Sequence, residues 1–116
     1  MDAVTQRDEA RAKANAYRSA VSVKKRELFE LDFHAGREAL AELIEHCEDP
    51  ALLSGRLADY LRAPRRSGKQ SSGRIMRDMG IRRADCRLRD LTMRQRQIIA
   101  HAVVNGYRID MAAEAA

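Results

Sequence analysis

The sequence predicts an all-α protein, and three observations carry that reading. Apolar residues recur at three- and four-residue spacing in successive stretches, the pattern of a helix with one buried face. Helix starts and stops fall between those stretches, at Asp49-Pro50, at Gly80 and at Thr92-Met93-Arg94-Gln95. Nothing reads as a strand or a hairpin. At 116 residues the chain suffices for one modest domain and is too short for two. The expected plan is an N-terminal helix within residues 1–33, a compact helical domain over 34–106 and a tail over 107–116, with about five helices in all.

The first helix is expected from Thr5 to about Leu31. Thr5 is a fair N-cap, and Asp8 and Glu9 suit the positive end of the helix dipole. Its first half is rich in alanine, carries charge on all sides and has little large apolar surface, so it should project or pack loosely. Val21, Leu28, Leu31 and Phe33 are larger and should dock that end on a core. A break is expected over Asp32–Gly36. Ala39, Leu40, Leu43, Ile44 and Cys47 then form a strong helical stripe. Asp49 as cap and Pro50 at the first position start the next helix. Leu52, Leu53, Leu57, Tyr60 and Leu61 continue through one or two short helices, and Arg62–Gly68 is a turn. A helix from Lys69 to Met79 has Ile75, Met76 and Met79 on one face, with Gly80 at the left-handed cap and Ile81 as its closing contact. Thr92 and Gln95 form a capping box for a last helix bearing Ile98, Ile99, Ala102 and Val103, ending near Asn105-Gly106. The tail from Tyr107 is expected to add a short helical turn or be disordered.

Signatures of catalysis are scarce. His34, His46 and His101 have no partner at metal-binding spacing, and there is no HExxH. Ser67, Ser71 and Ser72 lie near Lys69 but form neither a nucleophile elbow nor an SxxK pattern. Ser67-Gly68-Lys69 lacks the upstream glycine framework of a Walker A loop. Cys47 and Cys86 form no CxxC pair and are expected as free thiols in a reducing compartment. No apolar run approaches membrane-spanning length, and the N-terminus lacks a signal-peptide pattern. The expectation is a soluble, cytoplasmic, nucleoid-associated protein that is not an enzyme and needs no metal or cofactor.

Charge is more informative than its total of +5. Residues 62–96 hold twelve Lys or Arg against Asp78, Asp85 and Asp90, a net of +9, whereas the rest of the chain is net −4. A field concentrated in this way attracts a polyanion. Within the segment, Ser67-Gly68-Lys69 opens a helix. A glycine there lets the backbone approach a ligand closely, and the first-turn N–H groups favour an anion such as phosphate. Arg65, Arg66 and Arg74 flank that entrance, and Arg82, Arg83, Arg87 and Arg89 follow the helix. No aromatic residue occurs between Tyr60 and Tyr107, so the segment has no obvious platform for stacking unpaired bases, and duplex backbone is the better target. Arg87 and Arg89 alternate across Leu88; in an extended loop both would face outward on one side. Glu38, Glu42 and Glu45 read as a solvated face opposite the Leu40/Leu43/Ile44 stripe. Lys24-Lys25-Arg26 is either an ordinary surface cluster or a secondary backbone contact.

Two stretches carry a family resemblance. Residues 68–81, GKQSSGRIMRDMGI, are similar to GKxxAxxIMxxLGI of the actinobacterial integration host factors, which are unrelated to the two-subunit factor of the same name. Residues 86–91, CRLRDL, resemble the family's RRVRGL. Weaker similarity extends through Val4-Thr5-Gln6-Arg7, Leu40–Ile44 and Leu57–Leu61, so that it covers roughly residues 4–105. The resemblance implies a long N-terminal helix joined to a helical domain. It also implies a helix-two-turn-helix element, found too in a small-subunit ribosomal protein and certain DNA glycosylases. It further implies binding of double-stranded DNA with little sequence preference, DNA bending or compaction, and support of phage integration. The expected partners are double-stranded DNA and a recombinase or integrase complex in site-specific recombination, with a monomer expected over an obligate oligomer. Carried over, Gly68, Lys69, Arg87 and Arg89 are the binding residues. This sequence departs from the pattern at Cys86, where the family has Arg, and at Asp90, where it has Gly. The turn at Ala63–Gly68 and the loop after Ile81 are each one residue longer, and Arg65, Arg66, Arg82 and Arg83 are candidates to compensate. Such divergence would suit a phage- or plasmid-encoded relative. Alternative readings are an RNA-binding module with the same element and a phage-encoded protein-interaction factor.

Overall fold

The computed structural model describes residues 3–109, and they are all-α. Its helices are α1 (Ala3–Glu30), α2 (Phe33–His46), α3 (Pro50–Leu53), α4 (Leu57–Arg62), α5 (Lys69–Asp78) and α6 (Met93–Val104), with one 3₁₀ turn at Leu88–Asp90. Of the one or two short helices expected between Asp49 and Arg62 the structure has two, α3 and α4, which makes six against the roughly five expected in all. No described helix is long and apolar enough to cross a membrane.

At 28 residues, α1 is about 42 Å long, which accounts for most of the 55 Å long axis of the molecule. Side chains from Ala3 to Ala16 are exposed, and the first buried one is Val21. The alanine-rich half therefore projects, as its lack of large apolar side chains requires. Thr5 is not the cap, since the helix already runs from Ala3.

The break after α1 is narrower than the sequence suggested. Asp32 caps α2 directly, its carboxylate accepting from the Ala35 N–H at 2.9 Å, so Phe33–Gly36 form the first turn of α2. Leu31 falls between the two helices and stays exposed, contrary to its expected docking. Gly36 lets the helices meet closely: a Cβ there would sit 3.0 Å from the Leu28 carbonyl oxygen.

α2 and α6 form the main helix pair, and α1 lies against α3 and α2. Leu40 and Ile44 from α2, Leu57 and Leu61 from α4, Ile75 from α5, and Ile99 and Val103 from α6 are fully buried in one core. Arg96 joins this core as a charged member, 9% exposed. Its guanidinium donates to the carbonyls of Ile44 and Cys47, both at 2.6 Å. These are terminal carbonyls of α2, which lack helical partners and carry the negative end of the dipole.

Two closures follow the sequence signals. Gly80 has φ +71°; its N–H bonds the Arg77 carbonyl at 3.0 Å, and the Ile81 N–H bonds Met76 at 2.8 Å, a Schellman ending of α5. Thr92 and Gln95 form the capping box of α6. Tyr107, expected in the tail, belongs to the core: it is 1% exposed and its hydroxyl donates to the Leu61 carbonyl at 2.8 Å. Residues 110–116 of the expected tail lie outside the described residues.

Two substitutions test this packing. Arg96→Ala should destabilise the fold by about 2–3 kcal/mol, since it strips one buried and one partly buried carbonyl of charge-assisted donors. Exposed Arg77→Ala should change the thermal midpoint by no more than the roughly 0.5 kcal/mol usual for surface sites. A melting curve of Arg96→Ala that overlays the Arg77→Ala control would contradict this role. Gly55→Ala would place a Cβ 2.5 Å from the Tyr60 hydroxyl oxygen and 2.6 Å from its buried ring. Overpacking of this kind costs about 1–3 kcal/mol, to be read from a denaturant titration.

Candidate nucleic-acid interface

The candidate interface has two parts, a groove along α1 and the α4–α5 turn at its end. The first is an open groove of about 460 Å³ between α1 and the body. α1 supplies one wall, with Tyr17, Arg18, Val21 and Lys25; the opposite wall is Ser54-Gly55-Arg56, Asp59, Arg87 and Arg89. Arg18, Lys25, Arg56, Arg87 and Arg89 thus face a single carboxylate, Asp59. The Lys13 ammonium, 5.5 Å from the Tyr17 ring centroid, adds a cation at that side of α1.

The far wall is fixed by a short antiparallel pairing. Arg56 and Arg87 form an isolated bridge, the Leu57 N–H bonds the Cys86 carbonyl at 2.9 Å, and the Leu88 N–H bonds the Gly55 carbonyl at 3.0 Å. Leu57 and Leu88 are both fully buried, which anchors the pair to the core. Leu88 points inward as expected, but residues 88–90 form a 3₁₀ turn rather than an extended loop. Arg89 is exposed. Arg87 is half-buried: its guanidinium donates to the Ser54 carbonyl and its N–H to the Asp90 carboxylate at 2.9 Å. The two arginines share the groove but differ in exposure, and Arg87 also ties the fold together.

Cys86, where the resembling family has arginine, turns partly inward. Burial pushes its thiol above the usual range, so it stays protonated at neutral pH. The Asp90 carboxylate, where that family has glycine, accepts from the Arg87 N–H and closes the 3₁₀ turn.

The second part is the α4–α5 turn. Gly68 is the N-cap of α5, extended at φ −105° and ψ 179°, and no side chain caps that end. A Cβ on Gly68 would meet nothing within 4 Å, so the helix entrance is open. Lys69 and Arg74 are exposed on α5. Ser72 is buried, accepting from Arg62 Nε at 3.3 Å and donating to the Lys69 carbonyl at 3.1 Å, which joins α4 to α5. Arg65 donates through Nε to the Phe29 carbonyl at 2.7 Å, with its guanidinium 5.0 Å from the Phe29 ring centroid. Arg66, at φ +60°, lies 5.8 Å from the Phe33 ring centroid.

Helical geometry links the two parts. Phe29 follows Lys25 by four residues, so both lie on one side of α1, about 6 Å apart along its axis. The turn that touches Phe29 therefore continues the line of the groove. Arg7, Arg11, Arg18 and Lys25 repeat at four- and seven-residue intervals and form one cationic stripe on that side. This spacing was legible in the sequence, but only the groove gives it significance. Arg56 carried no such signal, because the pairing with Arg87 brings it there.

The nine residues expected at the site differ in availability. Among the described residues, no carboxylate lies within ion-pair distance of Lys69, Arg74, Arg82 or Arg89. Arg83 is engaged by Asp85, with two contacts of 3.1 Å, and holds that carboxyl below its usual range. Arg65 and Arg66 rest on aromatic rings, and Arg87 is partly structural. Glu38 and Glu42 are exposed on α2, with Glu42 and Glu45 beside His46 at 3.9 and 3.7 Å. Compared with protein-family models, curated proteins and solved structures, the chain matches none.

Proposed function

We propose that the protein is a non-enzymatic, architectural binder of double-stranded DNA that grips the phosphate backbone with low sequence preference. The groove carries this reading: five cations face one carboxylate on two walls, and the line continues to the uncapped entrance of α5. Like charges gathered across a groove repel one another, and a polyanion relieves that repulsion. Phosphates would lie between Arg18 and Lys25 on one side and Arg56 and Arg89 on the other, with another at the first-turn N–H groups beside Lys69. Such contacts position a duplex and carry no base code by themselves. The resemblance to the actinobacterial integration host factors points the same way.

Duplex affinity should fall steeply with salt. For about four to six phosphate contacts, log K against log salt should have a slope on the order of −4 to −5. The double variant Arg18→Ala/Lys25→Ala should keep its fold, since neither side chain is buried, and should flatten the slope by about two. Fluorescence-anisotropy titrations at several salt concentrations measure both, and a salt-independent affinity would rule out the reading. Gly68→Ser separates the helix entrance from the fold. Its hydroxyl can cap α5, stabilising by a few tenths of a kcal/mol, while occupying the N–H groups an anion would use. The melting point should hold or rise while duplex affinity drops roughly threefold or more; unchanged affinity would remove the entrance from the interface.

A further inference from the structure

The basic segment has no aromatic residue of its own, yet the fold brings one to it from α1. Phe29 is 55% exposed at the C-terminal end of α1, next to Leu31 at 39%. Its position is set by the α4–α5 turn: Arg65 holds the Phe29 carbonyl at 2.7 Å and places its guanidinium 5.0 Å from the ring. Phe33, the other phenylalanine nearby, is already engaged. It is half-buried, with Arg37 at 4.1 Å and Arg66 at 5.8 Å from its ring centroid. Phe29 thus leaves most of an aromatic surface in water, inside a line of cations that runs from Lys25 to Arg65 and Arg66. An apolar protein surface would have to desolvate those cations to cover it. A nucleotide would not, because its base offers a π-face and its phosphate an anion on the same unit.

Resting on the DNA-backbone reading above, we propose that Phe29 is a stacking residue that receives an unstacked nucleobase while the cations beside it hold the adjoining phosphates. The guanidinium of Arg65 fixes the helix end and lies over the Phe29 ring, so that its charge sits beside the stacking site. A base must leave its stack to reach the ring, which costs free energy in an intact duplex and little where a base is already unpaired. The protein would therefore favour a duplex containing a bulged base or an easily kinked step over a uniform one. Aromatic–base stacking has a size that makes the preference measurable, about five- to a hundredfold.

The test uses the full chain and two duplexes of equal length and charge, one intact and one with a single bulged 2-aminopurine. The parent should bind the bulged duplex at least about fivefold more tightly and quench its fluorescence by stacking. Phe29→Ala should abolish both the preference and the quenching while keeping the intact-duplex affinity and its salt slope. Phe29→Trp should retain the preference. Because Phe29 is mostly exposed and Arg65 bonds its backbone carbonyl, the alanine variant keeps that anchor, and circular dichroism checks its fold. Equal affinity of the parent for both duplexes, or a preference that survives Phe29→Ala, overturns the assignment while leaving backbone binding intact. A parent that binds neither duplex in a salt-dependent way overturns both.

Discussion

The pairing of residues 55–57 with 86–88 is the constraint on which the shape of the groove beside α1 depends. Two backbone hydrogen bonds join these segments, and the buried Leu57 and Leu88 fasten them to the core from either side. Gly55 makes the turn possible, because the Tyr60 ring occupies the space a Cβ would need. Tyr60 in turn donates to the Leu52 carbonyl at 2.6 Å, which connects the pairing to α3, the helix on which α1 rests. One local arrangement thereby sets the distance between the α1 wall and the Arg56/Arg89 wall. A groove whose walls come from residues 14–25, 54–59 and 87–89 cannot keep its shape if that register slips.

The arginines have separate tasks. Arg96 neutralises the carbonyl end of α2 inside the core, Arg65 fastens the end of α1, and Arg87 reaches the Ser54 carbonyl. Arg96 and Arg87 bond backbone oxygens that are buried or partly buried, and Arg65 ties an exposed one across two elements, so these residues hold the scaffold. Arg82 and Arg89 remain exposed, as do Lys69 and Arg74 on α5. A net charge counted along the segment therefore overstates what is available to a ligand. The balance is restored by cations from α1 and by Arg56, which lie outside the segment or at a distance from it in sequence.

Aromatic rings organise the end of the molecule where the termini of α1 and α6 meet the α4–α5 turn. The Arg37 guanidinium sits 4.1 Å from the Phe33 ring centroid and 4.9 Å from that of Tyr107. Burial pushes the Tyr107 hydroxyl above its usual range, so it remains a donor to the Leu61 carbonyl. This seals the chain after α6 onto α4 and keeps the turn bearing Arg65, Arg66 and Gly68 in place. Cation–π contacts of this kind contribute most when desolvated, as Arg37 is between two rings.

The sequence by itself determined that the chain is helical and where several of its helices start or stop. Gly80, the Thr92/Gln95 box and Asp49-Pro50 act within a few residues of themselves, so their outcome does not wait on the rest of the chain. The stripe Leu40, Leu43 and Ile44 likewise fixed which face of α2 is buried, and the alanine-rich start of α1 fixed its projection. The basic segment and the open entrance at Gly68-Lys69 were also legible, since composition and a helix start require no tertiary knowledge. The tertiary structure alone decided the rest. It moved Tyr107 from the tail into the core, left Leu31 outside it, and turned the loop at Leu88 into a 3₁₀ turn. It brought Arg56, Arg18 and Lys25 opposite Arg89, and set Phe29 beneath Arg65. Each of these depends on contacts between residues tens of positions apart, and no local period or cap in the sequence records such a contact.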